Sequence, residues 1–379
     1  MPGARILVDA REFVPGRYTG IARVLDGLIE ALCFCATIHE DIFLATHSAD
    51  CIPSRLRSKN RIRIKEIPKS FIGAEKSLSD FSKETQIFIS PYPKLPLFGV
   101  HCRTIHVIHD ILDLTHPLYR KRFKAVFDRY RLRKALQRAD VTWYDSYWSM
   151  TETQKFAGSI GKRPRVRYPG IDAAFSPDKS IDGAAALKKH NLEPGYVIVI
   201  GNGLPHKNLG VLLDLAGRIS KKMVFVGVPD KNRRYWKSQY PNESARWISH
   251  VEAGDLPSLL RGAFCLAQPS TAEGYGYPPL EAMACGVPAV ASDIPVLLET
   301  TGSIALYADP HNPKAWMEAL SALKKDELYQ AQIEKGLNWV ESLKGAKGWH
   351  GHIADIEALF NERSECEEST YHGNYRSRR

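Results

Sequence analysis

Two carboxylates eight residues apart, Glu273 and Glu281, lie in the stretch PSTAEGYGYPPLEAMACGVP, Pro269 to Pro288, with Gly274-Tyr275-Gly276 and a proline pair between them. Gly-Tyr-Gly disfavours a helix, Pro278 or Pro279 suits a first helical position, and Gly286 with Pro288 ends the helix. Glu273 is therefore expected in a loop and Glu281 in the first turn of the helix. The preceding FCLAQ run, Phe264 to Gln268, reads as a buried strand, so the unit is strand, glycine loop, helix. Free backbone N–H groups around such a loop make a site for an anion or a polyhydroxyl ligand. The same residues also suit a plain turn followed by a glutamate that complements the helix dipole.

A second loop of this kind is GNGLPHKN, between the strand Tyr196 to Ile200 and an expected helix NLGVLLDLAGRI, and it carries Asn202, Gly203 and Lys207. Gly201-x-Gly203 begins a dinucleotide fingerprint, but His206 stands in place of the third glycine and no acidic residue closes a second strand, so that reading is weak. In TIHVIHD, Thr104 to Asp110, His109 falls at the carboxyl end of a strand, where open parallel sheets place ligands, while His106 within the strand reads as structural. The opening RILVDA is a strand, followed by the loop REFVPGRYTG and a helix with Thr19 as its N-cap. Gly16 and Gly20 let the backbone come close to a ligand at the end of that first strand.

Strand and helix signals alternate along the chain, which predicts an α/β fold, and 379 residues are more than one ordinary core holds. The turn-rich segment RVRYPGIDAAFSPD, Arg165 to Asp178, is the expected crossover. Expected boundaries are an N-terminal domain over 1–168, a second domain over 169–345, a C-terminal helix over 346–363 that crosses back to the first domain, and a disordered tail over 364–379.

Composition (44% hydrophobic, 25% charged) describes a globular protein without a bilayer-length apolar run, and the N-terminus lacks the apolar region of a secretory signal, so a cytoplasmic location is expected. Seven scattered cysteines form neither a disulfide framework nor a zinc pattern. The net charge of +10 is densest over Arg55–Lys69 and Arg120–Arg138. In the second of these, Phe123, Val126, Phe127, Tyr130, Leu132 and Leu136 keep helical spacing, which predicts a packed helix with a solvated basic side. Attraction to an anionic membrane, at the inner face of the cell membrane, is the functional alternative. Nucleic-acid binding would also use the charge, but it leaves two strand-loop-helix units unexplained, and no nucleic-acid partner is expected.

From Glu273 to Pro288 the string closely resembles the E-x7-E segment of retaining glycosyltransferases of family four. The resemblance implies an α/β GT-B architecture: two Rossmann-like parallel-sheet domains facing each other across a cleft. It implies that Glu281 holds the donor ribose, that Glu273 contacts the transferred sugar, that His109 faces the sugar and that Lys207 reaches the donor diphosphate. Catalytic roles are thus expected for Glu273, His109 and Lys207. Donor contacts are expected from Gly20, Asn202, Gly203, Lys207, Val251, Gly274, Tyr275, Gly276 and Glu281, with Val251 meeting the base through its backbone. Asn202 stands where many members carry arginine, and Ala22 where a third small glycine is common.

Under this resemblance the substrates are a UDP- or GDP-linked hexose, mannose or glucose-like, and a glycan or lipid-linked glycan acceptor of bacterial surface-polysaccharide type. Lys207, the N–H groups of Gly274 to Gly276 and the helix start can neutralise the departing diphosphate, and no D-x-D pair is present. The reaction is therefore expected to need no metal or other cofactor. A nucleotide-sugar epimerase or phosphorylase of the same architecture is the rival enzyme.

Overall fold

The computed structural model describes residues 5–16, 19–119, 122–178, 183–241 and 243–362, with the side chains of residues 122–125 outside that description. The expected disordered tail, Arg120 and Phe123's side chain lie outside the described residues. The chain divides into two compact units. The first comprises residues up to 170, apart from 146–148, together with those from 346 onward; the second comprises 146–148 and 171–345.

The first unit is built on a parallel sheet of β1 (Arg5–Asp9), β2 (Asp41–Thr46), β3 (Ile62–Glu66), β4 (Ile87–Ser90), β5 (Arg103–Ile108), β6 (Val141–Tyr144) and β7 (Pro164–Val166), in spatial order β3-β2-β1-β4-β5-β6-β7. Its inner strands are continuous apolar runs because helices cover both faces of such a sheet. Helix Gly20–Phe34 starts where Thr19 Oγ1 accepts the Ala22 N–H at 3.1 Å, and it buries Val24, Leu25, Leu28, Ile29 and Leu32 at helical spacing. A helix over 350–362 belongs to this unit. Its Asp355 accepts Arg167 through both oxygens, at 2.9 and 2.8 Å, and the indole N–H of Trp143 at 2.8 Å.

The second unit carries β8 (Tyr196–Ile200), β9 (Met223–Val226), β10 (Arg246–Ile248), β11 (Ala263–Gln268), β12 (Ala289–Ser292) and β13 (Leu306–Ala308), all parallel, in order β10-β9-β8-β11-β12-β13. Val197, Leu212, Phe225, Cys265 and Trp316 lie in its core. In both sheets the order reverses beside the first strand, between β1 and β4 and between β8 and β11. Loops leaving those neighbouring strands diverge to opposite faces and leave a crevice at the carboxyl ends.

Three local expectations are corrected. Glu281 lies in the second turn, because helix Tyr277–Ala284 begins at Tyr277, before the prolines. The helix after GNGLPHKN covers only Gly210–Leu213 and unwinds into turns over 214–218, where Gly217 has φ +88°. In helix Arg122–Arg138, Val126, Phe127 and Tyr130 are exposed while Arg131 is buried with Leu132 and Leu136. Arg131 goes inward because a buried carboxylate, Glu75, receives its guanidinium at 3.1 Å.

Candidate functional site

The crevice between β8 and β11 is lined by the two loops singled out in the sequence. After β8 the chain makes a short 3-10 turn, Pro205–Lys207, and Asn208 follows in the left-handed region with φ +50°. Asn208 Nδ2 donates to the carbonyls of Pro269 at 3.0 Å and Pro310 at 2.6 Å, and the Thr271 N–H donates to the His206 carbonyl at 2.8 Å. These bonds clamp the β8 loop onto the β11 loop. Gly203 is confined to glycine twice over, by φ +69° and by Val228, whose Cγ1 would stand 2.7 Å from an added Cβ.

Lys207 reaches across the clamp, and its Nζ donates to Glu273 Oε1 at 2.6 Å. Gln268 Nε2 and Ser270 Oγ donate to the same oxygen, each at 2.6 Å. Because all three donors converge on Oε1, Oε2 keeps its acceptor capacity for a ligand. Burial pushes the Glu273 pKa up, but the Lys207 charge, the Lys207 and Ser270 hydrogen bonds and His206 outweigh it and hold the carboxyl below its ordinary range. The result is a fixed, ionised carboxylate beside an ammonium.

Gly276, at φ +95°, turns the loop into helix Tyr277–Ala284. Gly274, Tyr275 and Gly276 precede that helix start, whose dipole favours an anion, while Pro278 and Pro279 contribute no N–H to it. Tyr275 is buried and packs edge-on against Tyr277, with ring centroids 5.2 Å apart, so its backbone rather than its ring is what the loop can offer. Glu281 is buried on the same helix. Asn202 spends its side-chain oxygen on the Leu204 N–H at 3.1 Å and adds no cation. Val251 lies in the loop beyond the carboxyl end of β10, the far edge strand of the same sheet.

In the first unit, His109 directly follows β5 and Asp145 directly follows the adjacent β6. His109 Nδ1 meets Asp145 Oδ2 at 2.7 Å, and Ser149 Oγ donates to the His109 carbonyl at 2.8 Å. Burial lowers the His109 pKa, but Asp145, Asp110 and Glu12 outweigh it and raise the group above its ordinary value. Nε2 has no hydrogen-bond partner among the described residues, which leaves a donor or acceptor for a ligand. His106 is fully buried and pushed down to about 4, chiefly by desolvation, as suits a structural histidine. Gly20 opens helix Gly20–Phe34 with nothing within 4 Å of an added Cβ.

Sequence reading missed Gln268, Ser270 and Asp145. The first two sit at the strand end in the pattern Q-x-S-x-x-E, a spacing that brings them back onto the glutamate, and Asp145 ends its strand as His109 ends its own. Among the described residues no group of three or more His, Cys, Asp or Glu side chains could hold a metal ion, and no helix is long and apolar enough to cross a membrane.

Residues 185–339 match the family model of glycosyl transferases, group 1. O-antigen chain mannosyltransferase B of Escherichia coli is 27% identical over 247 residues, 62% of this chain and 65% of that protein, so the match spans just under two thirds of the relative's length. Sucrose-phosphate synthase from Thermosynechococcus elongatus superimposes with a TM-score of 0.74 at 17% identity, over 96% of this chain and 100% of that one. Anabaena HepE in complex with UDP-glucose gives a TM-score of 0.73 at 16% identity, over 93% and 99% of the two chains. These two likenesses establish the shared fold.

Proposed function

We propose that the chain, whose residues 185–339 match the model of the group 1 glycosyl transferases, is a retaining glycosyltransferase that moves a mannose or glucose-like hexose from a UDP- or GDP-linked donor to a hydroxyl of a glycan or lipid-linked glycan. The observation that carries this reading is the contact between Lys207 and Glu273 at the switch point of the second sheet. One bound nucleoside-diphosphate sugar needs a cation for its phosphates and a carboxylate for its hydroxyls within a few ångströms of each other.

In the reaction, the bond from the anomeric carbon to the diphosphate breaks while the bond to the acceptor oxygen forms on the same face. The acceptor proton passes to the departing diphosphate oxygen. Lys207, the N–H groups of Gly274–Gly276 and the helix start that follows take up the growing negative charge. Glu273 Oε2 grips sugar hydroxyls and stabilises the cation-like carbon, Glu281 holds the ribose, and Val251 meets the base. Gly20 and Gly203 let backbone approach the donor, and Asn202 adds a polar contact where arginine would add charge. His109, held by Asp145, donates from Nε2 to a sugar hydroxyl. No metal is required in this scheme.

The exposed Val126, Phe127 and Tyr130, interleaved with exposed Arg129, Arg133 and Lys134, suit an anionic membrane surface that carries a lipid-linked acceptor. The test of function is product analysis by proton NMR with UDP- and GDP-hexoses, with and without acceptor. A glycoside of the donor's anomeric configuration supports the reading. An inverted product, acceptor-free interconversion of sugars or a strict need for inorganic phosphate overturns it.

A further inference from the structure

The second sheet has a cavity at the end opposite the crevice. Its volume is about 250 Å³, and it lies at the amino ends of β8 and β11, with Val197 and Phe264 in its lining. Lys207 and Glu273 sit in the loops beyond the carboxyl ends of those same strands, on the order of 15 Å away at the usual rise along a strand. Two chain segments complete the wall: the turn and bend over 218–221, which follow the left-handed Gly217, and the last turns of helix Pro313–Ala322. The inner side is apolar, with Val197 and Leu320 buried and Phe264 half-buried, and Met317 stands exposed at the rim. Tyr329 stacks on Phe264 with ring centroids 5.2 Å apart and donates its hydroxyl to the Phe264 carbonyl at 2.8 Å, which holds that wall in place.

The charged residues of the lining are Arg218, Lys221 and Lys324, all of one sign. Lys221 Nζ lies over the Phe264 ring, 4.6 Å from its centroid, so one cation is fixed against the apolar wall. Neighbouring lysines find acids: Lys222 pairs with Glu193 at 3.9 Å and Lys314 with Glu318 at 3.7 Å. Among the described residues Arg218, Lys221 and Lys324 have no such carboxylate. Three like charges around a recess with low-dielectric walls concentrate positive potential there, and an anion relieves their repulsion. A phosphate monoester carries up to about two negative charges and several acceptor oxygens, so it can meet all three cations through charge-assisted hydrogen bonds. An apolar cavity of about 150 Å³ holds benzene, so this one has room for a ring with a phosphate beside it.

We propose that this cavity binds a soluble phosphate monoester with a ring or short apolar body, its phosphate on Arg218, Lys221 and Lys324 and its body against Met317 and Leu320. A ligand there leaves Lys207 and Glu273 untouched, and the site stands whether or not the chain transfers sugars. Its test is therefore binding without turnover.

Phenyl phosphate, which joins a ring to the anion, is titrated calorimetrically into the full chain at fixed ionic strength, with inorganic phosphate as the anion alone. Wild type binds phenyl phosphate saturably and about tenfold more tightly than inorganic phosphate, because the ring leaves water. Lys221→Gln weakens binding about tenfold, the worth of one charge-assisted hydrogen bond. Lys324→Gln and Met317→Asp, both at exposed positions, weaken it in the same direction with unchanged thermal melts, and Lys207→Ala binds like wild type. Unchanged affinity in the three cavity variants overturns the proposal, as does binding that Lys207→Ala abolishes and Lys221→Gln keeps, which places the ester in the donor crevice. Equal affinity for inorganic phosphate, or no saturable binding by wild type, overturns it as well. In a second arm, capture by phosphatidylcholine vesicles carrying phosphatidic acid is the same for wild type and Lys221→Gln. Capture that Lys221→Gln loses places the phosphate on a lipid and contradicts a soluble ligand.

Discussion

Lys207 Nζ and Glu273 Oε1 lie 2.6 Å apart, joining two loops that leave neighbouring parallel strands. The lysine read as a diphosphate ligand and the glutamate read as a sugar ligand hold each other in place, and with Gln268 and Ser270 they form one charged unit. Such a unit is preorganised, because its side chains are fixed before a donor arrives.

That pairing makes stability at this site depend on pH. The folded pKa of Glu273 lies below its ordinary 4.5, so the stabilisation is present above that value and is lost as pH falls through the folded pKa. Lys207→Ala leaves a buried carboxylate without its cation and costs about 3 kcal/mol at neutral pH. The melting-temperature gap to wild type should narrow as pH drops below 4.5. A gap that stays constant with pH would show that the ion pair is not its source.

Two glycines separate strain from ligand access. Gly276→Ala forces a side chain onto φ +95° and brings its Cβ to 2.5 Å from Leu297 Cδ2, which should lower stability by about 2 kcal/mol or more. Gly20→Ala meets open space at a helix start, so thermal melts should match wild type while donor binding weakens if backbone approach there matters. Equal melts for both variants would refute the strain argument.

The His109–Asp145 pair predicts a shifted pH profile. The folded His109 pKa is raised, so stabilisation from the protonated form is present below the ordinary value and is lost as pH rises through the folded pKa. Asp145→Asn removes the charge that sustains the shift, and the alkaline limb of the kcat/KM profile should move to lower pH. A profile in the same place would show that Asp145 does not act through His109.

The exposed apolar residues of helix Arg122–Arg138 make a membrane prediction. Wild-type protein should float with anionic vesicles more than with neutral ones, and Val126→Asp with Phe127→Asp should reduce flotation without changing the melting temperature. Flotation that ignores both changes excludes that helix as the contact.

Much of this arrangement was legible in the sequence, for identifiable reasons. Continuous apolar strand runs and capped helices mark a doubly wound fold wherever local preference and tertiary burial agree, as at Thr19 and over Tyr196–Ile200. The strand-loop-helix reading placed Lys207 and Glu273 in separate loops, and the contact between them depends on strand order, which local patterns do not encode. Asp145 and Ser270 escaped notice because their partners are set by that order and by loop curvature. The basic helix misled because Glu75, 56 residues from Arg131 in sequence, draws the arginine inward and leaves neighbouring apolar residues outside. Glu281 fell one turn later than expected because Tyr277, not a proline, begins its helix.

Calorimetry on Glu281→Gln checks the ribose contact. The side chain keeps its volume, so the fold should persist while the donor dissociation constant rises about tenfold, and an unchanged constant would refute the role.

Donor turnover by Lys207→Ala tests the central claim most directly, measured as single-turnover transfer from the preferred UDP- or GDP-hexose. Loss of the ammonium at the departing diphosphate predicts a rate lower by about 10² to 10³ with the donor still bound. A rate within about threefold of wild type would contradict the account, because the loop would then not serve the diphosphate.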